Sequence, residues 1–240
     1  MVRLFYALCG ACIASFAECL SGMLKEGHWQ RCSRCDHCGA RLQALEMIPV
    51  LSWIFLRGHC RCRREKLPCL YPLSELCGAL LLLPLSLSTD LKQNAAMILL
   101  FVFLLVLSLE DLHSQQIHSL FTCLFLLCAL FALPLAGIRS HLPGTILLCA
   151  GLFLLRKLSG GIGDGDIEFL AAAGLLLGLR GTLCLLLFSC LSALPFAYRK
   201  RNGRIAFMPF LCFWMWLFLL HIFVFRFDLL DQLLDALTLL

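Results

Sequence analysis

Apolar runs of 15 to 20 residues follow one another along almost the whole chain, separated by short polar or glycine-containing breaks. A run of that length spans the hydrocarbon core of a bilayer as an α-helix, and a helix satisfies its own backbone hydrogen bonds where no water can. The strict alternation of a β-barrel strand is missing from these runs. With 61% apolar residues, 15% charged residues and a mean hydropathy of +0.90, the chain is excluded from the ordinary soluble globular class. The expected fold class is an all-α polytopic membrane protein.

Spans are predicted at 4–24, 69–88, 95–111, 117–136, 142–158, 168–180, 182–198 and 208–226, about eight transmembrane helices in all. The breaks have physical causes: "STDLKQN" is polar, "AGIRSH" combines glycine with charge, "GLRG" is a tight glycine turn and "YRKRNGR" is basic. Lys and Arg concentrate in cytoplasmic loops. Segment 25–68 holds nine of the 20 basic residues. With the N-terminus outside, fifteen basic residues fall inside against five outside, which are Arg3, Lys92, Arg139, Arg180 and Arg226. The first run follows Arg3 and contains small residues, as a cleaved signal peptide would, yet cleavage would export the most basic segment of the chain. An uncleaved first span is expected. The domain reading is a first transmembrane helix at 1–24, a cytoplasmic Cys-rich domain at 25–68 and a transmembrane domain at 69–240.

Eleven of the sixteen cysteines, Cys123, Cys128 and Cys190 among them, sit in or beside apolar spans, where a thiol behaves as a small hydrophobe. The other five, Cys32, Cys35, Cys38, Cys60 and Cys62, cluster in the basic segment, where a reducing compartment disfavours disulfides. A structural zinc ion is the leading reading, with free thiols as the alternative. Cys35-x2-Cys38 in "CDHCG" is a zinc-knuckle half-site, and Cys60-x-Cys62 in "GHCRCRR" is a tighter, irregular second half. Cys32, His37 and His59 are spare ligands that could replace a member. Between the halves, "MIPVLSWIFL" is too short to cross a bilayer and belongs in the interface or against the bundle.

Carboxylates near the membrane are expensive and are functional candidates by default. Glu110 and Asp111 close the third span, and Asp164 and Asp166 precede the sixth. A solvated helix-end role suits Asp164 and Glu110. Asp166 differs, because Gly161, Gly163 and Gly165 at alternate positions allow close backbone approach, so Gly163 and Gly165 are candidates for contact with a substrate strand. "GIGDGD" lacks the Lys and Ser/Thr of a P-loop, and its acids would repel an anion; no nucleotide or nucleic-acid partner is expected.

These segments resemble a known family. "GIGDGD" before an apolar helix looks like the G-x-G-D signature of the type IV prepilin peptidases, intramembrane aspartic proteases whose usual pattern there is GxGxGDxK. "SLEDLHSQQIHS" resembles the family's first-aspartate motif, an Asp six residues before an Ile that Pro-Asn usually follows. "RCDHCGARL…MIPVLSWIFLRGHCRC…YPLSEL" resembles its N-terminal cytoplasmic domain, and "RIAFMPFL" its late IPFGPFL segment.

The resemblance implies a catalytic pair at Asp111 and Asp166 and metal cysteines at Cys35, Cys38 and Cys60, with the fourth metal position on Arg63 and Cys62 one place early. It departs at His118, where Pro is usual, at Glu168 for Lys, at Ala206 for Pro and at Met208 for Gly.

Two carboxyls held close share one proton, so one serves as base toward water and the other as acid toward the scissile carbonyl. By resemblance the substrate is a prepilin or pseudopilin precursor, cut where its basic cytoplasmic leader meets its apolar helix, in the bacterial inner membrane and among its lipids. Family members also methylate the new N-terminus from S-adenosylmethionine, with Glu46 and Glu75 at matching polar positions. Two other classes compete: a proton-coupled transporter, which would place its carboxylates nearer the midplane, and a non-catalytic metal-binding membrane adaptor, which explains the cysteine segment alone.

Overall fold

Small side chains decide how the first two long helices meet. The computed structural model describes residues 1–26, 34–35, 39, 41–61, 66–115, 117–136, 142–159, 163–199 and 205–225. In it α1 (Val2–Glu26) packs against α3, while a short α2 (Leu51–Phe55) lies between them in sequence and α3 itself spans Leu70–Leu82. Gly10, Ala14, Ala17 and Ser21 recur at helical spacing on the buried face of α1. A Cβ added at Gly78 of α3 would stand 2.6 Å from the Gly10 carbonyl oxygen and 2.7 Å from Ala14 Cβ, so the two backbones touch there. Lipid-embedded helices associate through such small-residue contacts, since lipid offers no hydrophobic drive between them. The opposite side of α1 exposes Leu4, Phe5, Leu8 and Phe16.

Before α2 runs a 3-10 turn, Ala44–Met47, and Val50 joins the two with a positive φ of 63°. That strained residue is held: its N–H donates to Glu75 Oε2 at 2.6 Å. Glu46 accepts the Gln43 N–H at 2.8 Å and pairs with Arg61 at 3.5 Å. Both glutamates at the matching polar positions therefore carry structural bonds.

These elements form the first of two units, Met1–Thr89, the second being Asp90–Leu240. The division falls after α3 and not before it, because α3 packs on α1.

In the second unit α4 (Leu91–Ser114) starts at Asp90, whose Oδ1 accepts the N–H groups of Lys92 at 2.9 Å and Gln93 at 3.3 Å. Met97, Leu100, Leu104 and Leu107 form its buried stripe. It packs on α5 (Ser119–Ala136) and α8 (Met208–Leu220), and α8 continues as one π-helical turn, His221–Phe225. The remaining helices are α6 (Leu142–Ser159) and α7 (Asp164–Arg199), with α7 against α5, α6 and α8. Rings lock these contacts: Phe101 and Trp216 have centroids 4.6 Å apart, and Phe125 stacks on Phe169 at 5.4 Å.

Gly178 breaks α7 with φ 71° and ψ 178°, a backbone that only glycine adopts readily. The two predicted spans 168–180 and 182–198 are thus two helical segments of α7 that meet at this kink, placed at the first glycine of "GLRG" and not at Gly181.

Among the described residues four helices, Val2–Lys25, Leu70–Leu87, Leu91–Ser114 and Asp164–Arg199, are long and apolar enough to cross a membrane, and Ser119–Ala132 and Met208–Val224 are shorter apolar helices. Phe131, Ile146 and Leu158 stand exposed on the outer faces. Such a surface suits lipid, and the protein is an all-α membrane protein.

Candidate active site

The buried stripe of α4 does not end in an apolar residue. Continuing the steps of three and four from Met97, Leu100, Leu104 and Leu107, its next member is Asp111, buried at 8% exposure. Gln115, in the left-handed conformation at φ 52°, ends the helix and returns its N–H to the Asp111 carbonyl at 3.0 Å. Asp166 occupies the corresponding place on α7, one turn ahead of buried Phe169, Ala173 and Leu176, and is itself half-buried. Helix packing therefore delivers one carboxyl from the end of α4 and another from the start of α7, and each lies within range of the other's charge.

Three separated segments supply the contacts that fix them. Asp111 Oδ2 accepts the Met208 N–H at 2.9 Å, and the Phe207 N–H also points to this carboxyl. These donors belong to the first turn of α8, whose N–H groups have no partner within the helix and whose dipole favours an anion. Asp166 takes the Gly163 N–H, and a Cβ at Gly163 would stand 3.4 Å from Asp166 Oδ2. At Gly165 a Cβ would meet Ile117 Cδ1 at 2.7 Å and Ile117 Cβ at 2.9 Å. Hence the Asp-to-Ile spacing, the alternate glycines and the "RIAFMPFL" segment meet at one place.

Of the two acids given solvated roles, Asp164 is solvated as expected, its side chain 70% exposed, and Glu110 is not. Arg156, in the last turn of α6, grips both Asp164 carboxylate oxygens. Glu110 is buried, its side chain 2% exposed, and His118 Nδ1 lies 2.8 Å from its Oε1. Polar sequence around residue 110 suggests water, but the stripe that buries Asp111 carries its neighbour partly inward. Glu168 accepts the Ser119 hydroxyl at 3.1 Å. Cys212, buried on α8 one turn beyond Met208, lies within electrostatic reach of both aspartates. Sequence reading classed it as an ordinary membrane cysteine; its four-residue step from Met208 was the available signal.

Two of the four expected metal cysteines, Cys38 and Cys62, lie outside the described residues, as do Cys32 and His37. The other two, Cys35 and Cys60, are buried with their sulfurs 3.2 Å apart. That is too long for a disulfide, about 2.05 Å, and shorter than the roughly 3.8 Å between two thiolates on one tetrahedral zinc. Antiparallel bridges pair Arg34, next to Cys35, with Arg41, and His59, next to Cys60, with Lys66. The donor chemistry fits zinc. Among the described residues no group of three or more His, Cys, Asp or Glu is gathered to hold a metal.

Comparison with known proteins agrees with the two-unit division. Residues 8–89 match the family described as "Bacterial Peptidase A24 N-terminal domain", and residues 98–198 match the "Type IV leader peptidase family". Relatives named prepilin leader peptidase/N-methyltransferase include one from Bacillus subtilis, 28% identical over 72% of this chain and 73% of the relative. Another, from Aeromonas salmonicida, is 31% identical over 79% of this chain and 70% of its own length. A third, from Burkholderia pseudomallei, is 37% identical over 61% of this chain, which spans 50% of that relative's length. No solved structure matches the chain.

Proposed function

The chain belongs to the type IV leader peptidase family, and from that premise we propose that it is an intramembrane aspartic endopeptidase that removes the leader of a prepilin or pseudopilin precursor. The observation that carries this reading is the convergence of three motif segments on Asp111 and Asp166, which lie within range of each other's charge. The ionised member takes a proton from water as the water oxygen attacks the scissile carbonyl; the protonated member donates to the carbonyl oxygen. Collapse then breaks the C–N bond, and the proton passes to the leaving amine. The Met208 and Phe207 N–H groups hold the Asp111 carboxyl through these transfers, and Gly163 leaves room for the substrate backbone, while the space at Gly165, a glycine also expected to contact substrate, is taken by Ile117.

In this reading the chain crosses the bacterial inner membrane eight times, with the aspartates at the cytoplasmic face, where a precursor's basic leader joins its apolar helix. Zinc is a structural ion of Cys35, Cys38, Cys60 and Cys62. Methylation of the new N-terminus is a second activity of the first unit. S-adenosylmethionine would supply the methyl group when bound, and the buried carboxylates Glu18 and Glu75 suit its sulfonium charge.

The test uses the purified full chain in detergent and a prepilin-like substrate, read as leader removal by gel shift. Cleavage at one site by the wild type, lost in Asp111→Asn, supports the reading; a wild type that cleaves nothing overturns it. Elemental analysis after chelator-free purification should find about one zinc per chain, lost with Cys35→Ser, since thiolates at this spacing form a single tetrahedral site.

A further inference from the structure

Two of the chain's departures from the family's motif pattern concern one junction. At 118 the pattern has proline, which fixes φ and has no N–H, and here stands His118. At 168 it has lysine, and here stands Glu168. The histidine uses both features that proline lacks: its Nδ1 lies 2.8 Å from Glu110 Oε1, and its backbone N–H donates to Glu110 Oε2 at 3.4 Å. The next residue, Ser119, donates its hydroxyl to Glu168 Oε1 at 3.1 Å. On the other side of His118, Ile117 rests in the space left by Gly165.

The start of α5 is therefore gripped from two sides. One grip comes from α4 through the residue beside Asp111, the other from α7 through the residue two beyond Asp166. An ordinary helix cap would draw its acceptor from α5 itself. Here the acceptors belong to the two helices that end in the aspartates. Glu110 is a fixed anchor, with its side chain 2% exposed, while His118 reaches outward at 55%.

We propose that Glu110 and Glu168 are positioning residues which, through His118 and Ser119, hold α4 and α7 in the register that sets Asp111 against Asp166, in place of the rigidity a proline gives this junction. The proposal rests on the peptidase reading, because register matters most when two carboxyls must hand protons to one substrate. A misplacement of 1 Å costs about a hundredfold in rate.

The test is steady-state cleavage of a prepilin-like substrate by the purified full chain, together with hydrogen exchange over residues 117–121. Glu110→Leu and His118→Leu should each lower kcat about tenfold or more while KM stays within about twofold, since alignment and not binding is lost. Their combination should be no worse than either alone, because one interaction is removed twice. His118→Asn, whose amide nitrogen can occupy the place of Nδ1, should recover most of the loss. Exchange over 117–121 should quicken in both Leu variants.

Faster exchange with unchanged kcat would make the bonds a mere cap and overturn the proposal; unchanged exchange would show that no grip exists. Should Glu110→Leu fail to fold, the exposed His118 series alone decides the matter. A wild type without cleavage, or an active Asp111→Asn enzyme, removes the peptidase reading and this role with it, whatever the exchange shows.

Discussion

Between α1 and α3 lie Glu18 and Glu75, 7% and 9% exposed, and at the junction of α4 with α7 lie Asp111 and Asp166. In both places two acids stand within reach of each other's charge inside a membrane protein. The glycines around them are placed differently. In the first unit Gly10 and Gly78 sit within the helix contact itself, drawing the backbones together. Glu18 lies beside Ser74, and Glu75 fastens the strained Val50. In the second unit Gly163 lies beside the Asp166 carboxylate and puts no side chain there, while Gly165 gives its space to Ile117. A buried acid is thus not in itself a sign of chemistry. Whether its surroundings leave room for a reactant separates the two cases.

The largest expected effect breaks the second pair. Asp111→Asn and Asp166→Asn keep shape but cannot ionise, and each should lower leader cleavage by about a thousandfold, with the double variant no worse, since the pair acts as a unit. Gel-shift assays at matched membrane expression read this out. Glu18→Gln and Glu75→Gln, measured beside them, should still cleave; loss of cleavage in either while the protein stays folded would erase the contrast between the pairs.

A smaller effect should come from Gly165→Ala, whose new Cβ runs into Ile117 at 2.7–2.9 Å. Overpacking of this kind costs about 1–3 kcal/mol. Activity should fall about tenfold and return in the Gly165→Ala/Ile117→Ala double variant, where the space is restored. A double variant as impaired as the single would mean that the glycine serves the substrate and not the isoleucine.

These expectations show what was legible in the chain. Asp111 and Asp166 stood out because a six-residue step to Ile117 and alternating glycines are local patterns, and the structure gives each pattern a contact. Glu110 was not legible. It stands beside another acid where an apolar run gives way to polar sequence, its partner His118 lies across a helix end, and only the packing of α4 shows that it is buried. Arg156 and Asp164 are eight residues apart on successive helices, a separation that carries no periodic signal. For α7, sequence located a glycine break to within a few residues but could not tell which of Gly178 and Gly181 takes the non-helical backbone.

Third in size, Glu75→Leu would leave the Val50 N–H without its acceptor, a loss of about 1–3 kcal/mol for a buried donor. Thermal unfolding should fall measurably while kcat for cleavage stays within about twofold, as expected of a change confined to the first unit. A selective loss of kcat would join the first unit to the chemistry.

The smallest effect belongs to Asp164→Asn. An exposed ion pair such as that with Arg156 contributes about 0–1 kcal/mol, and cleavage should remain within about twofold of the wild type. An inactive but folded Asp164→Asn protein would mean that the wrong aspartate has been assigned to catalysis.

The bond from the Met208 N–H to Asp111 has a consequence for how this position can drift over generations. Its donor is main chain, so every residue but one brings it along unaltered. Replacing glycine by methionine changes what fills the buried space but leaves the donor in place. The lineage is free to explore side chains at 208 under the demands of packing alone, and the one substitution barred on hydrogen-bonding grounds is proline, which would remove the donor.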